Sequence, residues 1–374
     1  MKVLQLGKAY PPVNLGGVES TIELITEGLH QKDVTCDVLG VNGEFSSVKE
    51  IRPKGIIYRS ALIKKAFSTL FSIDLIFRLF KIHKQYDIIH LHHPDPMCAI
   101  ALWLTNPHCK IVLHWHSDIL KQKTLLKLFM PIQTWLLERA DIIIATSPNY
   151  AESSIYLMPF LYKVEIVPIG IDKSKLSYDD KIIEQIDKKY HSKKKLLAIG
   201  RMTYYKGYEY LIDSLRVLDD SYILFIIGNG ELEATFKTKV HALGLEGKVV
   251  FLGKVNDIER NSYLKKCDVF VLSSIFKTEA FAIVQVEAMA FGKPVVSTII
   301  DGSGVDWVNK NMASGLTVST RNHNSIALAI NKIMGDKSLY NLLSKGAIER
   351  FNEEFTQEIM AQRIINIYKK VLYQ

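Results

Sequence analysis

The sequence predicts an α/β protein made of two doubly wound domains, each a parallel sheet with helices on both faces. Three observations predict it. Short Ile- and Val-rich runs alternate with longer helical patterns, that rhythm stops and restarts once, and 374 residues suit two domains of roughly 150 residues each.

The first set of strands reads at residues 3–6, 87–91, 111–114, 141–145 and 163–168, each brief and bounded by Gly, Pro, His or Ser. Helical stretches at 20–30, 71–84 and 124–139 lie between them. A second set of strands reads at 195–199, 222–227, 248–252, 269–272 and 294–297. The charged segment 174–194 separates the sets, and the boundary falls there. From residue 353 the tail carries Ile359, Ile364, Ile365, Ile367, Tyr368, Val371 and Leu372 at helical spacing, which predicts a closing amphipathic helix. The expected division is 1–172, 173–352 and a closing helix over 353–374 that packs back towards the first domain.

Composition excludes several classes. Hydrophobic residues are 48% and charged residues 23%, so the chain is neither disordered nor fibrous. The cysteines Cys36, Cys98, Cys109 and Cys267 lack C-x-x-C spacing, which predicts neither a disulfide framework nor a structural zinc site and fits a reducing, cytoplasmic compartment. No basic leader with a long apolar stretch opens the sequence, and no run of about 18 apolar residues suits a membrane span.

The formal net charge is +8. Between residues 49 and 139 there are fourteen Lys and Arg against six Asp and Glu, so this window carries the whole excess. A local basic zone predicts an anionic partner surface, membrane or nucleic acid, against the alternative of a solvated face. It lacks the interleaved aromatic platform that single-stranded nucleic acid requires, which leaves the membrane or a solvated face. The stretches 64–84 and 121–139 read as basic helices carrying Phe67, Leu70, Phe71, Ile76, Phe77, Leu125, Leu128 and Phe129. The apolar residues of 71–80 fit a core equally well.

Four groups of residues carry chemistry. Gly16 and Gly17 sit where the first strand turns into a helix, whose free N–H groups and dipole favour an anion; a tight turn needing glycine is the plain alternative. Gly200-Arg201 and Lys206-Gly207 follow the first strand of the second set. Two fixed cations at a strand's carboxyl edge would stabilise a departing diphosphate. Glu279 lies on a loop after the strand 269–272, and Glu287 lies about two turns into the next helix, with Phe281, Ile283, Val284 and Val286 between them. Two acids at different depths suit two hydroxyl-bearing parts of one ligand. Finally, His90, His92 and His93 end one strand, and His114, His116 and Asp118 end the next. Ligands gather at such ends. His92 and His93 point opposite ways on a strand and no carboxylate or Cys recurs at ligand spacing, so this group reads as a polar acceptor-side wall and not as a metal site.

Together these segments resemble the large family of retaining nucleotide-sugar glycosyltransferases, family four, of the GT-B fold: two Rossmann-like domains facing across a cleft. The resemblance covers nearly the whole chain. Its strongest element is residues 279–296, similar to the family's E-x7-E signature with its trailing E-A-M-A-x-G-x-P-V-V. Gly200-Arg201 with Lys206-Gly207 matches the diphosphate-binding pattern, while Gly228-Asn229-Gly230 and the stretch through Gly253 and Lys254 look like nucleoside-side loops. Residues 168–172 look like the interdomain crossover, with 170–172 the expected hinge of closure around donor. By that resemblance His116, Arg201, Lys206 and Glu279 act at the reaction centre. Gly16, Gly17, Gly200, Gly228, Gly230, Gly253, Lys254, Ala280, Phe281, Ala282, Ile283 and Glu287 bind donor, with Glu279 on the sugar and Glu287 on the ribose. His92, His93, His114 and Asp118 are left to the acceptor side. Ala282 stands where the family usually has glycine.

Residues 114–122 and 301–309 are similar to bacterial enzymes of lipopolysaccharide O-antigen or other surface-polysaccharide assembly. The resemblance implies a hexosyltransferase that retains anomeric configuration without a metal or other cofactor. Its donor would be GDP-mannose first, then a UDP-sugar carrying galactose or glucose. Its acceptor would be a lipid-linked or oligosaccharide glycan at the cytoplasmic face of a membrane. A sugar-nucleotide epimerase on the same architecture is the alternative, and a non-catalytic binding protein would leave the carboxylates unexplained. No G-x-G-x-x-G follows a strand, against a dinucleotide-dependent dehydrogenase.

Overall fold

A computed structural model describes residues 1–13, 16–66, 69–119 and 123–373, with the side chains of residues 123–125 left out of account. The chain forms two compact units: residues 1–170 with 357–374, and residues 171–356.

Unit 1 holds, among the described residues, an eight-stranded sheet. Its strands are β1 (Lys2–Leu6), β2 (Thr35–Val41), β3 (Val48–Arg52), β4 (Gly55–Ser60), β7 (Ile88–His93), β8 (Lys110–Trp115), β9 (Ile142–Ala145) and β10 (Val164–Ile166). A small antiparallel hairpin, β5 (Lys64–Ala66) and β6 (Thr69–Phe71), stands apart. The order is β10-β9-β8-β7-β1-β2-β4-β3, parallel throughout except for β3. Its helices are α1 (Gly17–Gln31), α2 (Ile73–Ile82), α3 (Pro96–Thr105), α4 (Lys123–Arg139) and α5 (Pro148–Ser153). Ile22, Ile25 and Leu29 line one face of α1 at helical spacing and are fully buried. Ser72 caps α2 and Asp95 caps α3, each accepting from backbone N–H groups of the first turn.

Unit 2 has a six-stranded, wholly parallel sheet: β11 (Lys194–Ile199), β12 (Tyr222–Ile227), β13 (Val249–Gly253), β14 (Val269–Leu272), β15 (Val295–Ile299) and β16 (Gly315–Ser319). The helices are α6 (Asp180–Tyr190), α7 (Tyr208–Ser214), α8 (Glu233–Ala242), α9 (Asp257–Lys266), α10 (Ile283–Ala290), α11 (Val305–Val308), α12 (His323–Gly335) and α13 (Lys337–Glu354). Leu196, Leu224 and Val271 of the strands meet Leu211, Ile212 and Ile330 of the helices in one core. The final helix α14 (Gln357–Tyr373) packs on α1 within unit 1.

The sheet order of unit 2 is β13-β12-β11-β14-β15-β16, with the first strand in the middle. Connections run one way from β11 and the other way from β14. The crevice beyond the carboxyl ends of β11 and β14 is therefore the topological switch point, where such sheets bind ligands. In unit 1 the switch lies between β1 and β7.

Several expectations need correction. The segment 174–194 is not a separator, because α6 occupies it and packs on α9; Asp179 N–H donates to Ser262 Oγ at 3.0 Å. Ile182, Ile183 and Ile186, diluted by charges in the sequence, give α6 its apolar face. Unit 2 thus spans 171–356 where 173–352 was expected, since α13 runs unbroken to Glu354. Residues 64–84 are not one helix: the hairpin takes the first part and α2 starts at Ile73. Strands β2, β3, β4 and β16 escaped the apolar-run criterion. In β2 the reason is Asp37, a buried carboxylate that accepts from Tyr86 Oη at 2.6 Å and Ile56 N–H at 2.7 Å, with Lys2 Nζ at 3.6 Å.

Candidate active site

Three glycines end three adjacent strands of unit 2. Gly200 N–H donates to Ile227 O at 2.9 Å, and Gly228 N–H donates to Gly253 O at 2.8 Å, so the loops after β11, β12 and β13 are laced together. A Cβ on Gly228, whose φ is +125°, would lie 2.2 Å from Gly200 O. The close approach of backbones, rather than a turn alone, requires glycine there. Gly230 lies as close against Met202, while Arg201 and Lys254 are exposed at the edge of this surface.

Lys206 follows on a single 3-10 turn, Tyr204–Lys206, and is buried. Its Nζ lies 2.5 Å from Glu279 Oε2, which also accepts from Ser274 Oγ at 2.7 Å. Two further bonds hold the lysine turn to the carboxylate loop: Ser273 Oγ donates to Lys206 O at 2.9 Å, and Ile275 N–H donates to Tyr205 O at 2.8 Å. Ser303 Oγ donates to Glu279 O from the loop after β15. Burial works to lower the lysine's pKa, but the Glu279 carboxylate and Tyr205 outweigh it and the net direction is up. Lys206 is therefore a fixed cation at the switch point. Arg201, expected beside it, stays at the surface.

Glu287 sits on α10, mostly buried, with Arg260 Nη2 at 3.4 Å from its Oε1. Oε2 is sealed from solvent and has no hydrogen-bond partner among the described residues. Burial raises this carboxyl's pKa, Arg260 opposes and Asp257 adds to the rise. One acceptor oxygen is thus left without a donor, which costs about 1–3 kcal/mol. Between the two acids Ala280 O accepts from Gly304 N–H at 2.9 Å, Phe281 packs edge-on against Phe355, and Ile283 opens α10.

Ala282 adopts φ 62°, ψ 76°, the left-handed conformation, as the N-cap of α10. Here the methyl group meets its cost, because an L side chain disfavours this region by roughly 1–2 kcal/mol. Ala282→Gly should raise the stability of unit 2 by about 1 kcal/mol, less the extra unfolded-state entropy of glycine. A urea midpoint at or below that of the parent would refute this.

In unit 1, Gly16 and Gly17 open α1. Gly16 has φ −140°, which any residue adopts, so the tight-turn reading does not explain it. A Cβ on Gly17 would meet open space, and one on Gly16 would meet only the Glu19 carboxylate at 2.7 Å. Glu19, which the sequence reading passed over, is buried with Lys8 Nζ at 3.9 Å.

The histidines divide by face. His90, His92, His114 and His116 stack, with centroids 4.2–5.4 Å apart for the neighbouring pairs. His93 turns away and stacks on Trp115 at 3.8 Å. Trp115 Nε1 and Ser154 Oγ both donate to Asp118 Oδ1, at 2.9 and 2.7 Å. His92, His93 and His114 are 0% exposed, so they do not form the acceptor-side wall expected of them. Strands β7 and β8 lie inside the sheet, and Tyr368 of α14 covers His90 edge-on. Asp118 likewise belongs to the packing behind the loop.

His90, His92 and His114 each bring a ring nitrogen to within 4.8 Å of the others, a grouping that invites a metal reading. The rings lie nearly parallel, 12–24° apart. Lone pairs lie in the ring plane, so stacked faces do not aim three of them at one point. Burial depresses all four pKa values, to about 3 for His90 and His116, and leaves the rings neutral.

A parallel sheet in Rossmann order, with glycine-ended strands and a cation–carboxylate pair at its switch point, is the architecture of a Rossmann-like ligand-binding unit. Comparison with known proteins narrows the class. A model described as "Glycosyltransferase Family 4" matches residues 15–175, and one described as "Glycosyl transferases group 1" matches residues 179–350. The chain is 30% identical over 381 residues to the O-antigen chain mannosyltransferase C of Escherichia coli, covering 100% of this chain and 99% of that protein. It is 29% identical over 363 residues to the D-rhamnosyltransferase WbpZ of Pseudomonas aeruginosa, covering 95% and 92%. Among solved structures, sucrose-phosphate synthase from Thermosynechococcus elongatus has a TM-score of 0.80 at 20% identity, over 99% of both chains. Anabaena HepE in complex with UDP-glucose has a TM-score of 0.77 at 19% identity, over 99% and 100%. The chain belongs to this family: it is a GT-B glycosyltransferase.

Proposed function

We propose that the enzyme transfers a hexose, with retention, from a nucleotide-diphosphate sugar to a lipid-linked glycan in O-antigen or capsule assembly. GDP-mannose is the first choice of donor and a UDP-sugar carrying galactose or glucose the second. The Lys206–Glu279 pair at the switch point of unit 2 is the observation that carries the reading, and the O-antigen mannosyltransferase relative supports the choice of sugar. Lys206 and Arg201 would stabilise the departing diphosphate, whose oxygen takes the acceptor proton on the same face. Glu279 would hold sugar hydroxyls, Glu287 the ribose, and His116 the donor sugar. No metal is assigned a step, so turnover should persist in a chelator. A thermal-shift series with GDP, UDP and dTDP tests the donor: a ligand at 100 times its Kd adds about 2.7 kcal/mol. Product anomeric configuration by NMR tests retention, and donor alone giving an epimer would favour the epimerase reading.

The two carboxylates should separate in kinetics. Charge changes at the sugar during reaction but not at the ribose, and an interaction felt equally in ground and transition states alters KM alone. Glu279→Gln is expected to lower kcat, and Glu287→Gln to raise donor KM with kcat nearly kept. The reverse pattern would overturn the assignment.

Unit 1 carries a surface suited to an anionic membrane. On α2, Ile73, Phe77 and Phe80 share one face and are exposed, Phe77 and Phe80 each by 63%, while Leu75, Leu79 and Ile82 are buried on the other. The core reading of 71–80 thus holds for only one face of the helix. Trp103 and Leu104 of α3, which packs on α2, are exposed too, as are Lys64, Lys65, Lys81 and Lys84. Phe67 and Lys121 lie outside the described residues, as does the side chain of Leu125. No helix among the described residues is long and apolar enough to cross a membrane. Each lysine near anionic lipid contributes about 1 kcal/mol, and the aromatic stripe adds burial. Co-sedimentation with anionic vesicles at low salt is expected, weaker at high salt and on neutral vesicles. Equal, negligible binding to both would leave a soluble acceptor.

A further inference from the structure

His116 is only 7% exposed, and its backbone N–H donates to His93 O at 2.9 Å. Its Nε2 lies 2.9 Å from His92 Nδ1. His92 Nε2 lies 2.7 Å from Gln5 Oε1. The Gln5 amide nitrogen donates to Tyr368 Oη at 3.1 Å, and that hydroxyl lies 2.7 Å from His90 Nδ1. Gln5 is in β1, His92 in β7 and Tyr368 in α14, so three elements far apart in sequence close one line of hydrogen bonds. Every member before His116 is fully buried.

A neutral imidazole has one N–H and one lone pair, and which nitrogen carries the proton is set by its partners. Gln5 Oε1 can only accept, so His92 Nε2 carries the hydrogen and His92 Nδ1 the lone pair. His116 Nε2 must then donate, which leaves the lone pair on His116 Nδ1. That atom makes no hydrogen bond among the described residues, and His116 keeps 7% exposure where His114 has none. At the other end Gln5 is oriented by giving its N–H to Tyr368. A flipped amide would reverse every bond and turn His116 Nδ1 into a donor.

We propose that Gln5 is a positioning residue: through His92 it fixes His116 as a hydrogen-bond acceptor, so that the group His116 touches must be a hydroxyl that donates. The consequence for donor choice rests on the reading that His116 meets the donor sugar. An acceptor at this point selects a free hydroxyl and rejects a sugar whose matching position is deoxy or fluorinated, since neither can donate.

The test is heteronuclear NMR of the full chain labelled with 15N-histidine, at neutral pH and without donor, with His116 identified by its loss in His116→Gln. A single tautomer is expected, with Nδ1 unprotonated and Nε2 protonated. Gln5→Met, and separately Tyr368→Phe, should convert His116 to averaged or reversed tautomers. A wild-type His116 protonated at Nδ1 would overturn the proposal even if neither variant folds, and so would folded variants with an unchanged His116 signal. Because the spectrum needs no ligand, it is independent of the sugar contact, which the kcat/KM of His116→Ala examines by itself.

Discussion

Unit 1 is expected to lose stability steeply as the pH falls below about 6.5, the value of an unfolded histidine. His90, His93 and His116 have pKa values depressed to about 3, and those of His92 and His114 also lie well below the ordinary value, in every case through burial first. A depressed folded value means that the unfolded chain binds protons which the folded chain refuses. The stability is present above about 6.5 and is lost progressively as the pH falls towards the folded values. Each group contributes about 1.4 kcal/mol per pH unit in that window, so five together approach roughly 7 kcal/mol per unit. Whole domains are stable by only about 5–15 kcal/mol, so the unit should unfold well before the folded pKa values are reached. Urea unfolding at about pH 7.5, 6.5 and 5.5 measures the slope. His93→Phe, which keeps a ring on Trp115, should reduce the uptake by one proton. A midpoint unchanged across this range would show that the histidines accept protons without unfolding.

That sensitivity has a structural origin. The stacked rings lie at the carboxyl ends of β7 and β8, beside the switch point of unit 1. A site that needs one neutral ring with a fixed lone pair must keep the supporting rings neutral as well. Burial achieves this and leaves nitrogens of His90, His93 and His114 without partners among the described residues. Unpaired buried nitrogens each cost about 1–3 kcal/mol, which a purely structural core would avoid with apolar residues. In unit 2 Glu279 is by contrast well partnered, with Ser274 and Lys206 on one of its oxygens.

Much of the sheet architecture was legible because parallel strands buried on both faces are short continuous apolar runs. Strands that depart from that rule were lost: β2 carries Asp37, and β3 is an exposed antiparallel edge with Lys49, Glu50 and Arg52. Helix α6 was misread because three isoleucines suffice when one face packs and the rest is solvated. Residues 279–287 were visible because an acidic pair within an apolar stretch must have a use. Ser274, Ser303 and Arg260 were not, since their value comes from where other loops bring them. Gln5 gave a faint signal, a glutamine inside an otherwise apolar first strand, but its partner Tyr368 lies 363 residues away and no spacing connects them. The histidines were seen as a group and assigned to a surface; they are buried because β7 and β8 lie inside the sheet, a strand order that local pattern does not encode.

Replacing Lys206 with alanine is expected to lower kcat by about 10²-fold or more, the usual loss when one fixed stabiliser of developing charge is removed. Several facts fix the direction. Lys206 is buried at the ends of β11 and β14, where the sheet order opens its crevice. Two hydrogen bonds, from the Ser273 hydroxyl and the Ile275 N–H, hold its turn, so the ammonium is organised before donor arrives. Its charge is kept by Glu279, which raises the lysine's pKa against burial. In the proposed reaction the diphosphate would gain negative charge as its bond to the sugar breaks and would compete with Glu279 for the same ammonium. That competition would free the carboxylate for the sugar hydroxyls as the leaving group is stabilised, so the pair would act more strongly in the transition state than in the ground state. The alanine variant also strands Glu279, and breaking a buried pair typically costs about 3–5 kcal/mol of stability. Lys206→Ala combined with Glu279→Gln removes that stranded charge, so it should recover stability without recovering kcat. Single-turnover rates on the folded fraction separate the two effects. If the alanine variant turns over at the parent rate, Lys206 has no part in the chemistry and the pair is only a structural tie.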